Sequence, residues 1–529
     1  MGEVWLKIAV SIVCTAFYFA ATVKTLGVMQ QSGYRSRSFT RWLLKKENML
    51  YNRLALWSGL TLLSTATVAL CFAPLGERTA SLISSVPFFV FCLLYCIADS
   101  KYALKVPVKR TGRVCRLSAV YLLFIACLSY ILLSLCVFVD ALVKSELYTL
   151  VAYLPMGLMP LSLPFLLAAA NAVEGIFENA RNKKFVKRAG QVLSETKITR
   201  VAVVGSYGKT SVKNILATLL SEKYAVVKTP ASYNTPVGIA KTVTGEDFQD
   251  KEILIAEMGA RRVGDIAELC ALVQPDYAIF TGVCAQHIES FGSEEAVLQA
   301  KSEIFDGTKT LVVCGESLRE KVGENDKRRF VAFTDRVKNL QPQATSTRFT
   351  LCLDRGEIEV TTRLLGESAA QNIALAAVLA EQMGLTKEEI ARGVEKLEPI
   401  PHRLQLLESG GVYILDDGYN ANPVGAREAV AALRRFTGKK YVVTPGLVEA
   451  GILEEQINAE LGAMLVGLDG VYLVGDTLVG AVKKGYLAAG GDEEKLSVYS
   501  TLSAAQSAFS EVLQKGDCIL FLNDLPDIY

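Results

Sequence analysis

Histidine is nearly absent from this 529-residue chain, which has only His287 and His402. Cysteine is present twelve times, but no two cysteines form a C-x-x-C pair. Zinc centres need clustered ligands, so a structural zinc site is excluded. Cys14, Cys71, Cys92, Cys96, Cys115, Cys127 and Cys136 lie in or beside long apolar runs, whereas Cys270, Cys284, Cys314, Cys352 and Cys518 are scattered. That distribution suits small packing residues and gives no disulfide framework. Charge of one sign is lacking too: 56 basic and 54 acidic residues leave a net +2. This balance alone argues neither for nor against nucleic acid, and no nucleic-acid partner is expected. Internal repeats and low-complexity tracts are missing, which removes solenoids and disordered scaffolds.

Long apolar runs, by contrast, are abundant and concentrated in the first 180 residues. Five of them reach the length of about 20 residues that crosses a bilayer, at roughly Trp5–Met29, Leu54–Leu75, Ala80–Ala98, Leu117–Val143 and Leu147–Val173. Basic residues fill alternate connections. Arg35, Arg37, Arg41, Lys45, Lys46 and Arg53 separate the first two runs, and Lys101, Lys105, Lys109, Arg110, Arg113 and Arg116 separate the third and fourth. Arg181, Lys183, Lys184, Lys187 and Arg188 follow the fifth. The connections around Glu77-Arg78 and Asp140–Glu146 carry little positive charge. The positive-inside rule therefore puts the N-terminus outside and everything after about residue 180 in the cytoplasm, as a multi-pass plasma-membrane protein. The first run is longer than the apolar core of a signal peptide, and its flank is hardly basic, so it is expected to be retained as a helix.

The most informative stretch is VAVVGSYGKTSVKNI, Val201–Ile215. An apolar strand runs into Gly205, Ser206, Tyr207, Gly208, Lys209, Thr210 and Ser211, and a helix starts at once. Glycines let backbone N–H groups approach phosphate oxygens, and the helix N-terminus adds partial positive charge. Lys209 can neutralise outer phosphates, and the Thr210 hydroxyl is placed to bind Mg²⁺. Val203 stands where the strict phosphate-loop pattern has its first glycine, so the version present is the shorter G-x-x-G-K-T-S. Nucleotide phosphate binding is the expectation.

From Thr199 onward apolar strands alternate with amphipathic helices, the signature of a parallel sheet covered on both faces. Strands are expected at Arg200–Val204, Glu252–Glu257, Asp276–Thr281 and Thr310–Cys314, and an antiparallel hairpin at Arg348–Arg363. A Pro-containing joint at Glu398–His402 opens a second α/β pattern. Glu257 ends a strand, where its carboxylate can reach Mg²⁺. His287 lies in a loop after the third strand, where an imidazole can complete the coordination of a second metal. Arg403 follows the joint, where a guanidinium can close over a γ-phosphate as domains swing together. His402 beside it reads as a positioning residue, and Lys301 as a helical lysine.

In this order, GSYGKTSVK, EMGA, AQHIESFGS, AKSEIF, QNIALAA, PHRLQ and DDGYNANP, spread over about Arg200–Asp476, resemble the Mur ligases. These are ATP-dependent amide-forming enzymes of bacterial wall synthesis, and the likeness is closest to the branch that adds D-alanyl-D-alanine. The resemblance implies a central P-loop ATPase domain over 181–399 and a Rossmann-like α/β domain over 400–529. An α-helical membrane domain over 1–180 stands where relatives carry a UDP-sugar-binding domain, for which the roughly twenty-five residues before the phosphate-loop strand leave no room. It also implies that Lys209, Lys301 and Arg403 serve catalysis, with Lys301 carbamylated. Thr210, Glu257, His287 and Lys301 would hold metal, and Asn372, Arg403 and Asp417 would join the loop in holding nucleotide. Tyr419, Asn420 and Asn422 match the amine-substrate side. Asn234 and Thr235 are a further substrate candidate, at a place where the family's usual paired asparagine is replaced.

The activity implied uses ATP and Mg²⁺ to convert a carboxylate into an acyl phosphate, which an amine then attacks. Expected partners are a carboxylate-bearing wall or lipid-linked precursor, an amino acid or dipeptide amine, and the bilayer. Two other readings stay open: a ligase that builds a different amide polymer, such as capsular polyglutamate, and a non-catalytic membrane module that binds nucleotide.

Overall fold

The structure, a computed structural model, describes residues 2–44, 49–72, 86, 89–98, 108–142, 148–284, 291–323, 325–418, 421–448 and 453–522. It divides into two compact units, Met1–Asn182 and Lys183–Asp527.

The first unit is helical: α1 (Gly2–Gln31), α2 (Ser36–Leu43), α3 (Met49–Phe72), α4 (Gly112–Leu142) and α5 (Tyr148–Glu195). Their shared core includes Tyr18, Trp57, Leu117, Tyr121, Leu163 and Leu167. The Tyr121 hydroxyl lies within hydrogen-bonding distance of Thr22 Oγ1 and the Leu163 carbonyl, both at 3.1 Å, so a polar atom buried among α1, α4 and α5 is satisfied. Among the described residues three helical segments are long and apolar enough to cross a membrane, Ile8–Gln31, Gly112–Leu135 and Leu158–Glu195, against the five expected. The second expected run is helical as α3 but is not among those three. The third lies partly outside the described residues, and Phe89–Ala98 is a shorter apolar helix.

Two of the basic residues opening α4 turn to acids on α5. Arg113 Nε lies 3.3 Å from Glu174, and Arg116 lies 3.2 Å from Glu174 and 2.6 Å from Glu178. Glu174 is buried, so these pairs tie α4 to α5, and among the described residues just before α4 Lys109 and Arg110 are exposed.

The second unit holds two α/β domains. In the middle domain β1 (Thr199–Val204), β2 (Val226–Lys228), β3 (Ile253–Glu257), β4 (Tyr277–Phe280), β5 (Leu311–Gly315) and β6 (Arg328–Val331) form one parallel sheet in the order β2-β3-β1-β4-β5-β6. Strand periodicity splits β1 between two cores. Val201 and Val203 meet α6 (Lys209–Leu220), whereas Ala202 and Val204 meet α7 (Pro236–Gly245), α8 (Asp265–Val273), α9 (Glu294–Gly307) and the last turns of α5 at Ala189 and Leu193. No separate domain stands between α5, which ends at Glu195, and β1. The expected hairpin is two strands of a three-stranded antiparallel sheet, β7 (Val337–Pro342), β8 (Thr347–Leu353) and β9 (Gly356–Thr362). Two helices, α10 (Glu367–Gln382) and α11 (Lys387–Glu395), complete this domain, α11 behind a Thr386–Glu389 capping box.

The last domain has a second six-stranded sheet, ordered β10-β11-β15-β12-β13-β14. Antiparallel β10 (Gln405–Ser409) pairs with β11 (Val412–Asp417), and β12 (Lys440–Thr444), β13 (Gly470–Val474), β14 (Leu496–Tyr499) and β15 (Cys518–Leu522) run parallel to β11. Its first helix, α12 (Pro423–Leu433), starts behind Asn422.

Candidate functional site

The parallel register brings the chemistry to one sheet edge. Val203 is paired with Glu257 and Val204 with Phe280, so the loop after β1, the last residue of β3 and Thr281 after β4 meet at the carboxyl ends of adjacent strands. Gly205 has φ 153°, and a Cβ there would lie 1.9 Å from Thr281 Oγ1. Gly208 has φ 72°, and a Cβ there would lie 2.8 Å from Asn372 Oδ1. Both positions exclude a side chain, which explains the glycines of the shortened motif. Ser206 donates its N–H to the Gly282 carbonyl at 2.8 Å, and Thr281 Oγ1 donates to the Tyr207 carbonyl at 2.5 Å. The loop is thus sewn to the strand beside it.

Lys209 Nζ donates to the Gly205 and Ser206 carbonyls at 2.8 and 3.3 Å, and Lys301 Nζ, from α9, donates to the same Gly205 carbonyl at 3.0 Å. Burial pushes the Lys209 ammonium below the ordinary lysine range, with Glu257 opposing and Arg403 assisting. Burial, with the charge of Lys209, brings Lys301 down to about 7. An anion bound here would stabilise both ammonium forms.

Glu257 is buried and takes part in four hydrogen bonds. Its Oε2 accepts from Thr210 Oγ1 at 2.9 Å and pairs with Lys213 Nζ at 3.2 Å; its Oε1 accepts from Asn234 Nδ2 at 3.1 Å; its N–H donates to Thr229 Oγ1 at 3.1 Å. Thr210 and Glu257 were expected as metal ligands, and the structure brings them together. Among the described residues no group of three or more His, Cys, Asp or Glu could hold a metal by itself. Such a set suits Mg²⁺, which is commonly held by one or two carboxylates together with substrate phosphates and water.

Ser206, Tyr207, Gly208, Lys209, Thr210, Ser211, Asn234, Thr235, Glu257, Lys301, Arg403 and Asn422 line one cleft of about 510 Å³, within the size range of small-molecule sites. Arg403 and Asn422 come from the last domain, so both α/β domains contribute. Two expected substrate residues also have structural work. Thr235 caps α7 by accepting from Gly238 N–H at 3.2 Å, and Asn422 caps α12 by accepting from Val424 and Gly425 N–H, both at 3.0 Å. Asn372 lies against Gly208 and is not part of the cleft lining. Asp417 likewise is off the lining. Its Oδ1 accepts from Leu404 N–H at 3.0 Å, and burial raises its carboxyl to about 6. His287, Tyr419 and Asn420 lie outside the described residues.

Sequence reasoning missed Lys213. It stands one helical turn after Lys209, and that spacing was the available signal for a second lysine on the loop-facing side of α6.

A phosphate loop, a hydroxyl–carboxylate pair and an arginine supplied by a following α/β domain describe an ATP-using ligase in which two domains share one cleft. The chain matches the Mur ligase middle domain over residues 203–380 and the Mur ligase, glutamate ligase domain over 402–523. It is 30% identical over 336 residues to UDP-N-acetylmuramoyl-tripeptide--D-alanyl-D-alanine ligase of Bacillus subtilis strain 168, covering 61% of this chain and 72% of that protein. The Escherichia coli K12 protein of the same name is 31% identical over 312 residues, covering 55% and 68%. Among solved structures, MurF ligase from Thermotoga maritima in complex with ADP superposes with a TM-score of 0.58 at 29% identity, covering 66% of this chain and 81% of that one. The chain belongs to the Mur ligase family, whose members are ATP-dependent amide-bond-forming ligases. Residues before 203 fall outside both domain matches.

Lys213→Met leaves Glu257 buried without its cation. Breaking such a pair should lower unfolding free energy by about 3–5 kcal/mol, read by denaturant titration, and pairing it with Glu257→Gln should recover part of the loss. Equal stability of Lys213→Met and the parent would show that the pair contributes nothing.

Proposed function

We propose that this chain is a membrane-bound ligase of peptidoglycan synthesis that activates a precursor carboxylate with ATP and joins it to an amine, in the manner of the D-alanyl-D-alanine-adding enzymes it resembles. The observation that carries this reading is the convergence of Lys209, Thr210, Glu257, Lys301 and Arg403 on one cleft. A carboxylate is unreactive toward amines. Its oxygen attacks the γ-phosphorus, the bond to ADP breaks, and an acyl phosphate forms. The amine then attacks the acyl carbon, loses a proton and expels phosphate. In this scheme the phosphate loop and Lys209 bind the phosphates, and Arg403 meets the charge that develops on the transferred group. Thr210 and Glu257 would hold Mg²⁺, which supplies Lewis-acid neutralisation at the phosphate oxygens.

Lys301 is proposed to carry a carbamate, as its match in the family does. Only a neutral amine reacts with CO₂, and a lysine held at about 7 is neutral in useful proportion near neutrality. The sign of the pH effect follows: lowering pH through 7 protonates Lys301 and closes the reaction. Lys209→Ala is expected to abolish ATP turnover. Bicarbonate should restore activity to depleted enzyme at about pH 8 and fail at about pH 6, followed by phosphate release. Full activity of Lys301→Ala would remove the carbamate from the scheme.

The three helical segments long and apolar enough to cross a membrane support a further part of the proposal, that the acceptor is carried on a lipid. A soluble nucleotide-sugar substrate gives no reason for several apolar helices, whereas a polyprenyl-linked peptide would share their solvent. The exposed Lys109 and Arg110 suit a lipid diphosphate better than Arg113 and Arg116, which pair with Glu174 and Glu178. ATP turnover by the whole protein should be stimulated more by lipid-linked than by UDP-linked peptide. Neutralising Lys109 and Arg110 should raise the KM for the lipid-linked acceptor without changing that for ATP. Equal use of the two acceptors would defeat the lipid-substrate idea.

A further inference from the structure

Two strained residues flank Arg403. His402 has φ 59° and Leu404 has φ 46°, in the left-handed region that residues bearing a Cβ seldom adopt. Such conformations persist only where the surroundings hold them. Here the holders are consecutive carboxylates. Asp416 Oδ2 lies 2.8 Å from His402 Nδ1, and Asp417 Oδ1 accepts from Leu404 N–H at 3.0 Å. Arg403 donates its own N–H to the Ile400 carbonyl at 3.1 Å, closing a turn before β10 begins. The register makes this possible, because Gln405 is paired with Asp416 and the end of β11 therefore faces the start of β10. Asp416 is fixed in turn, its Oδ1 accepting from Gly418 N–H at 3.1 Å. Arg403 lines the cleft beside Lys209, whereas His402 and Asp416 do not.

We propose that His402 and Asp416 form a clasp that positions Arg403: the pair locks the joint between the two α/β domains in the left-handed turn that delivers the guanidinium to the cleft. The clasp rests on the reading of Arg403 as the residue that meets the transferring phosphoryl group. Asp416 touches no substrate in this scheme and acts only through Arg403. Its sequence signal, an aspartate ahead of the one that matches the family's nucleotide contact, gave no hint of this.

A double-mutant cycle on the full-length protein tests it. Asp416→Ala should lower kcat on the order of ten- to a hundredfold, the scale of an ångström-level misplacement, while KM for ATP and the thermal midpoint change little. Asp416→Asn, which keeps one acceptor for the ring, should lose less. In the Arg403→Ala background, followed by single-turnover hydrolysis of radiolabelled ATP, Asp416→Ala should cause no further loss, because the residue it positions is gone. Wild-type kcat in Asp416→Ala, or the same fold-loss in both backgrounds, would overturn the clasp while leaving Arg403's role intact. Wild-type kcat in Arg403→Ala would remove both. Should Asp416→Ala fail to fold, His402→Gly makes the same comparison, since glycine relieves the backbone and deletes the ring.

Discussion

The site depends on one buried carboxylate. Glu257 closes β3 with a charge that burial makes expensive, and that cost is met from several directions at once: Lys213 as counter-charge, Thr210 and Asn234 as donors, and Thr229 fixing the backbone. Each partner arrives on a different segment. Thr210 and Lys213 lie on the helix after the phosphate loop, Thr229 follows β2, and Asn234 precedes α7. Satisfying Glu257 therefore requires the loop, the helix and two neighbouring segments to be in place together. A fully satisfied network of this kind also fixes geometry, because each donor restricts the rotamer of the acceptor.

Around that carboxylate the domain presents cations, with Lys209 and Lys301 sharing one carbonyl and Arg403 entering from the following domain. Burial depresses both lysines, so the ammonium form of each is costly until an anion arrives to stabilise it, and Lys301 is neutral in useful proportion when none is bound. The arrangement separates two tasks. In the proposed scheme the middle domain binds phosphate with backbone and lysine, while the last domain brings the guanidinium through a short joint. Domain motion about that joint would change Arg403 while leaving the loop unaltered.

Much of this was legible in the sequence, for identifiable reasons. The phosphate loop shows because β1, two glycines and a helix start leave local marks, and β3 and β4 show as apolar runs ending in polar residues. The three-residue β2 is too short to display periodicity, and β7 reads VKNLQP, with exposed polar residues that hide an edge strand. Lys213 left only the one-turn spacing after Lys209 as a signal, because its meaning lies in Glu257, a partner on a distant strand. Thr235 and Asn422 were read for substrate where a Pro at the following position equally signalled a helix cap. The basic opening of α4 was read by charge alone. The acids that engage Arg113 and Arg116 lie about sixty residues away, beyond any local pattern.

The central claim is that Glu257 and Thr210 form the protein's share of a metal site that completes itself on ATP phosphates. Mn²⁺ in place of Mg²⁺ tests it directly by electron paramagnetic resonance of the full-length protein. The account predicts weak Mn²⁺ binding alone, tight binding once ATP is added, and loss of that enhancement in Glu257→Gln. Undiminished ATP-dependent Mn²⁺ binding by Glu257→Gln would contradict it.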